Sequence, residues 1–85
     1  MKYKVEYSKQ VLKFLSKHTE LTARFMLKVS LMVNGEFEKL DIKPYEGEEK
    51  AYRLRIGKYR FLYKKYENKI LIYFYDADSR GDIYK

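Results

Sequence analysis

An α+β fold of order β-α-α-β-β-β, with an N-terminal helical hairpin packed on a largely antiparallel four-stranded sheet, is predicted by three features of the 85-residue chain. Apolar residues alternate in residues 2–7. They then recur every three to four positions between residues 11 and 33. From residue 51 the alternation returns, interrupted at Gly57-Lys58 and at Glu67-Asn68-Lys69. Period two is the mark of a half-buried strand and period 3.6 that of an amphipathic helix. A helical block between strand blocks buries its stripe against one face of the sheet.

Each element has its own warrant. In residues 2–7, Tyr3, Val5 and Tyr7 fall on one side. Ser8 suits an N-cap, because its hydroxyl can accept a free amide of the first turn. Val11, Leu12, Phe14 and Leu15 give a short helix to about Lys17, and Thr19 is a second cap candidate. Leu21, Phe25, Met26, Val29, Met32 and Val33 form the stripe of a longer helix, which Asn34-Gly35 ends. Residues 36–49 hold no clear period, and Pro44 and Gly47 mark them as loop. In residues 51–56, Tyr52, Leu54 and Ile56 face one way, Arg53 and Arg55 the other. Gly57-Lys58 is a two-residue turn whose leading glycine suits type II′. Residues 59–65 form the next strand. Residues 70–75, apolar on both faces, read as an interior strand. Residues 76–85 are polar apart from Ala77, Ile83 and Tyr84. Tyr3, Tyr52, Phe61 and Phe74 are expected to face the helices. No repeat, linker or low-complexity segment divides the chain, so residues 1–85 read as one domain.

Composition narrows the function. Hydrophobic residues make up 46% of the chain, enough for a packed core. The absence of cysteine excludes disulfides and thiolate metal sites. The first charges are followed by no apolar run of a signal peptide, and no stretch nears the ~20 apolar residues of a membrane helix. The expectation is a soluble, cytoplasmic protein. A formal charge of +7 favours polyanionic partners, nucleic acid above all. Lys50, Arg53, Arg55, Lys58, Arg60, Lys64 and Lys65 follow one another with no acid between them. Just before them stand Glu36, Glu38, Asp41, Glu46, Glu48 and Glu49. This segregation points to one strongly positive surface.

Arg53 and Arg55 leave the same face of a strand, and Arg60 lies across the tight hairpin. Guanidiniums brought together suit an anion, and phosphate matches their planar fork best. The same pattern also suits a solvated basic face with no ligand. Lys50, Lys58 and Lys64 extend the basic run as candidate RNA contacts. Tyrosines on that face can stack nucleotide bases; Tyr73, Tyr75 and Tyr84 are candidates that sequence does not separate. Other chemistries lack their residues. His18, the only histidine, falls between the helices and is expected at the surface. Ser8, Ser16, Ser30 and Ser79 lack a Gly-x-Ser-x-Gly setting, and no phosphate-binding glycine loop occurs. Asp76, Asp78 and Asp82 lack calcium-loop spacing and read as a polar turn. No metal or cofactor is expected.

The stretch Tyr52-Arg53-Leu54-Arg55-Ile56-Gly57-Lys58-Tyr59-Arg60-Phe61-Leu62-Tyr63 resembles the RelE/ParE superfamily pattern Tyr-Arg-(apolar)-Arg-(apolar)-Gly-x-Tyr-Arg-(apolar)-(apolar)-Tyr. The ending Asp78-Ser79-Arg80-Gly81-Asp82-Ile83-Tyr84-Lys85 resembles that family's closing Arg-x-x-(apolar)-Tyr, and the loop Lys43-Pro44-Tyr45-Glu46-Gly47 also fits. The resemblance implies a toxin of a type II toxin–antitoxin system that cuts messenger RNA in the ribosomal A site. A ribose 2′-hydroxyl attacks the adjacent phosphate, with no metal or cofactor. Such a reaction needs a base, positive charge on the transition state and a proton donor for the leaving oxygen. By position, Arg53 and Arg55 match the family's paired basic residues, Arg60 its phosphate-stabilising arginine, Arg80 its C-terminal arginine and Tyr84 its terminal tyrosine. One departure stands out. The base position in RelE-like members is often lysine, whereas arginine cannot lose its proton at useful pH; Asp78 and Asp82 are candidate substitutes. The superfamily also includes ParE-like poisons of DNA gyrase, and a catalytically silent antitoxin- and DNA-binding relative is a third possibility. The partners implied are a cognate antitoxin, the ribosome with its messenger, and operator DNA only through the antitoxin; no membrane is implied.

Overall fold

Strand β1 (Lys4–Tyr7) and helix α1 (Lys9–Lys17) meet at Ser8 in the computed structural model, which describes residues 2–79. The Ser8 hydroxyl accepts the Val11 N–H at 3.1 Å and donates to the Tyr75 carbonyl at 3.2 Å. The predicted cap is therefore present, and it also fastens the start of α1 to the sheet.

Helix α2 (Thr19–Val33) follows at once. Thr19 opens the helix rather than capping it; His18 takes the cap position, with no side-chain bond to the helix amides. His18 is not the free surface residue expected. Its ring stacks on Phe14 at 4.2 Å, meets the Tyr59 ring at 5.3 Å, and has Nδ1 2.9 Å from the Phe14 carbonyl oxygen. The joint between the helices is short enough to bring this imidazole down onto the aromatic edge of the core. Leu21, Phe25, Val29 and Met32 are the buried face of α2. Met26, assigned by period to the same stripe, is 48% exposed, and Val33 is only partly buried. One residue is about 100° of turn, so Met26 lies beyond the narrow arc that meets the sheet. At the C-terminus the Glu36 N–H donates to the Leu31 carbonyl and the Gly35 N–H to the Met32 carbonyl, each at 2.9 Å. This double bond pattern needs a left-handed residue between helix and exit, and Gly35 supplies it with φ 78°.

The segment read as structureless contains a 3₁₀ turn, Phe37–Lys39, and a short strand, β2 (Ile42–Pro44). β2 pairs antiparallel with β3 (Ala51–Ile56), setting Ile42 opposite Leu54, Lys43 opposite Arg53 and Pro44 opposite Tyr52. Three residues are too few to display a period. Proline, which cannot donate to a ladder, is tolerated here because β2 is an edge. Strands β4 (Tyr59–Tyr66) and β5 (Leu71–Ser79) complete a five-stranded sheet of order β1-β5-β4-β3-β2, not the four strands expected. The β3–β4 turn has a positive φ, 59°, at Gly57 and at no other turn residue, as type II′ requires. β1 runs parallel to β5, and every other pairing is antiparallel. Ile70 belongs to the preceding turn, with φ 51°, and β5 runs on to Ser79. Asp76 and Asp78 are thus strand residues rather than members of a polar turn.

With β1 and β2 at opposite edges, the helical hairpin carries the chain across one face of the sheet. That face holds the core: Val11, Leu21, Phe25 and Met32 from the helices meet Leu54, Phe61, Tyr63, Ile72 and Phe74 from the strands. Phe25 lies 4.3 Å from Phe61 and 5.1 Å from Phe74, ring centre to ring centre. Phe61 and Phe74 face the helices as predicted, while Tyr3 and Tyr52 pack against the core from its margin. Leu62 and Ala51 are also buried but stand apart from this cluster. They belong to the opposite face, where the candidate chemistry lies.

Candidate functional site

Cross-strand partners share a face, so the register of the sheet assembles the site. On the face away from the helices one row reads Lys43, Arg53, Leu62, Asp76, and the next reads Arg55, Arg60, Asp78. The β3–β4 hairpin sets Arg55 directly opposite Arg60, as its two-residue turn implied. A bulge sets the far side. Between the pairs Leu62–Asp76 and Tyr63–Phe74, β5 holds one extra residue, Tyr75. Before it Ile72 and Phe74 are buried; after it Ala77 is. The bulge therefore reverses the alternation and brings Asp76 and Asp78 into the rows of the arginines.

The arginines differ in setting. Arg53 is 11% exposed in its side chain, and its Nη2 lies 3.1 Å from the Asp41 carboxylate. Arg55 is exposed and donates from Nε to the Gly57 carbonyl at 3.2 Å. Arg60 is partly buried between Arg55 and Asp78. A cleft of about 480 Å³ opens over this face, lined by Lys43, Arg53 and Arg60 together with Pro44, Tyr45, Glu46 and Gly47. Three cations converging on one cleft make a seat for an anion with more than one charged oxygen.

Beside the cleft, the Lys64 ammonium lies 3.2 Å from the Glu48 carboxylate and 5.7 Å from the centre of the Tyr75 ring. Tyr73 stands opposite Lys64 in register. Burial first, then the negative charge of Glu48, with Tyr45 and Asp76 adding to it, pushes the Tyr75 phenol up to about 12. That hydroxyl keeps its proton at neutral pH.

Of the candidates named from sequence, the fold gathers Arg53, Arg55, Arg60, Lys64, Tyr73 and Tyr75 on one face. Two others lie elsewhere. Lys50 lines a second cleft, of about 490 Å³, with Tyr52, Lys65, Glu67 and Asn68. Lys58 turns its ammonium over the Tyr59 ring, 5.5 Å from its centre, toward the helix side. Arg80, Asp82 and Tyr84 lie outside the described residues. Sequence reasoning missed Lys43 and Tyr45 as cleft residues, and missed Asp41 and Glu48 as partners of the cations. The one signal was the loop 43–47, noted for its likeness to a family pattern but not assigned to the site. Among the described residues no group of three or more histidines, cysteines or carboxylates is arranged to hold a metal ion.

No protein-family model and no curated protein matches the chain. Solved structures do. The chain is 28% identical to a protein in an archaeal RelE–RelB complex from Pyrococcus horikoshii, with a TM-score of 0.74 over 96% of this chain and 99% of that one. For a RelB–RelE antitoxin–toxin complex from Methanococcus jannaschii the values are 26% identity and a TM-score of 0.68, over 93% and 94% of the two chains. The Escherichia coli DinJ–YafQ toxin–antitoxin complex superposes over the whole of both chains with a TM-score of 0.77 at 16% identity, a likeness of fold. A helical hairpin over one face of a mixed sheet is thus the fold this chain shares with the RelE toxins of these complexes. The chain itself is RelE-like, as its central Tyr-Arg-Leu-Arg strand and hairpin arginine had suggested.

Proposed function

We propose that the protein is the toxin of a type II toxin–antitoxin pair and arrests translation by cleaving messenger RNA in the ribosomal A site. One observation carries the reading: Lys43, Arg53 and Arg60 converge on a single cleft of a RelE-like fold. The ribose 2′-oxygen attacks the adjacent phosphorus, and the bond to the 5′-oxygen breaks. The products are a 2′,3′-cyclic phosphate and, once the departing 5′-oxygen takes a proton from water, a 5′-hydroxyl. Negative charge builds on the non-bridging oxygens as the 2′-oxygen closes in, and Arg53 and Arg60 stabilise it there. Arg55, beside Arg60, strengthens the positive field that favours the 2′-alkoxide. Because arginine keeps its proton, this reading assigns the 2′-proton to Asp78, the carboxylate opposite Arg60 in register. Tyr75, protonated at neutral pH, serves as a hydrogen-bond donor and not as a base. Arg80 and Tyr84 take the leaving-group and nucleotide-orienting roles that the family resemblance implies. No step calls for a metal or cofactor.

The same reading gives the protein a cognate antitoxin, as in the RelE–RelB and DinJ–YafQ complexes. The helical hairpin offers Leu12, Met26 and Leu27, at 53%, 48% and 68% exposure, to the apolar side of an amphipathic segment. An acidic segment suits the basic face. Operator DNA is met through the antitoxin, and work on the ribosome places the toxin in the cytoplasm. The test is primer extension on ribosomes programmed with a defined messenger and mixed with the purified protein. Ribosome-dependent cleavage inside the A-site codon is the expected result. An intact messenger together with blocked gyrase supercoiling overturns it in favour of a ParE-like poison.

A further inference from the structure

The cationic side of the cleft accounts for a phosphate; its other wall is Tyr45. The Tyr45 N–H donates to the Ala51 carbonyl at 2.9 Å, closing the loop at its base and fixing where the side chain starts. The ring then lies against Gly47. A Cβ at position 47 would stand 2.9 Å from Tyr45 Cε2 and 3.3 Å from Cζ, so a side chain there would push the ring aside. Gly47 does not have the positive φ of Gly35 or Gly57. A side chain there would displace the ring rather than strain the backbone. A half-buried tyrosine thus packs over a glycine in the cleft that Arg53 and Arg60 also line.

We propose that Tyr45, seated on Gly47, is the base-stacking platform of this cleft, holding a nucleobase of single-stranded RNA while the arginines hold its phosphate. The inference rests on the RNA reading above and adds to it a residue that positions substrate. A phosphate seat alone grips any polyanion equally. An aromatic wall in the same cleft selects a strand whose bases are unpaired, because only those can swing onto a ring. The cleft volume falls in the range of sites that hold small ligands. Tyrosine is apt for the role: stacking uses the ring face and leaves the phenol's own contacts in place.

The test is fluorescence anisotropy at low salt with the full chain and two labelled probes, a single-stranded RNA octamer and a ribose-phosphate strand of equal length lacking bases. The wild type is expected to bind the octamer about tenfold more tightly than the baseless strand, the usual worth of one stacked base. Tyr45→Ala and Gly47→Val, each with an unchanged melting curve, bring that ratio close to one, and Tyr45→Phe recovers most of it. Arg60→Ala weakens both probes in proportion and keeps the ratio. If Tyr45→Ala keeps the ratio while Arg60→Ala weakens both probes, the platform is refuted and the RNA reading stands. If the wild type binds neither probe, the platform is refuted, while the RNA reading still answers to cleavage on the ribosome.

Discussion

On the helix side of β4 stand Tyr59, Phe61 and Tyr63, all buried; on the other side of the same strand stand Arg60, Leu62 and Lys64. The two sets interleave along one backbone and follow different rules. On the helix side, contacts are apolar and non-directional, so any residue of the right size and period fills its place. On the other side, cations answer to particular partners: Arg53 to Asp41 at 3.1 Å, Lys64 to Glu48 at 3.2 Å. Leu62 and Ala51 are buried there, a small apolar floor under a charged surface. The difference separates what stability requires from what chemistry requires, and substitutions on the two sides should have different readouts.

The largest effect is expected on the helix side. Leu54 has no exposed surface and belongs to the core cluster. Leu54→Asp places a carboxylate there with no partner, at a cost on the order of 5 kcal/mol, comparable to the whole stability of a small domain. Circular dichroism should show an unfolded chain at room temperature. A native-like melt would mean that the register of β3 is wrong.

Next comes a substitution on the open side that spares the fold. Arg60→Ala is expected to lower A-site cleavage by about 100-fold or more, the usual loss on removing one stabiliser of transition-state charge, while the melting temperature stays within a few degrees. Full cleavage by a well-folded Arg60→Ala protein would remove Arg60 from the site. Together the two variants test whether stability and activity reside on opposite faces of the sheet.

Legibility in sequence follows the same division. The helices, the hairpin and the arginine pair were readable, since each depends on period or on a two-residue turn. β2 was not, because a three-residue edge strand ending in Pro44 has no period to show. The far half of β5 was hidden by the bulge at Tyr75: buried residues are even-numbered before it and odd-numbered after it, which breaks an alternation read along the chain. The charges misled in a different way. Acidic residues 36–49 and basic residues 50–65 are separate in sequence, which suggested separate surfaces. β2 and its loop instead fold the acids back, pairing Asp41 with Arg53 across 12 positions and Glu48 with Lys64. Net charge along a chain does not fix charge on a surface when a short strand returns one segment over another.

Smaller effects refine the comparison. Ser8→Ala removes a bond to the first turn of α1 and another to the Tyr75 carbonyl. The expected loss is about 1 kcal/mol, read from the denaturant midpoint at unchanged slope. Asp41→Ala belongs to the other face and should affect stability less, since an ion pair with one exposed partner contributes about 1 kcal/mol or less. It should instead strengthen RNA binding at low salt, because one negative charge leaves the basic cluster. Weaker binding would show that Asp41 holds Arg53 in its working position.

The smallest effect near neutral pH is carried by the phenols and becomes visible only in alkali. Burial raises Tyr63 above the ordinary value of 10.0, and burial with neighbouring negative charge raises Tyr75 to about 12. In the unfolded chain both ionise near pH 10, while in the folded chain they remain neutral for longer. The unfolded state therefore gains stability from ionisation that the folded state lacks. Folding stability is complete below pH 10 and falls as pH climbs from 10 through about 12. Tyr63 belongs to the core and Tyr75 to the open face, so the two can be told apart. Tyr75→Phe should flatten part of this decline in urea titrations between pH 9 and 12 and leave the neutral-pH midpoint nearly unchanged, while Tyr63 continues to resist ionisation in absorbance at 295 nm. An identical decline in wild type and Tyr75→Phe would mean that the Tyr75 hydroxyl is as hydrated as in a free chain, and its place as a proton-holding donor beside the cleft would be lost.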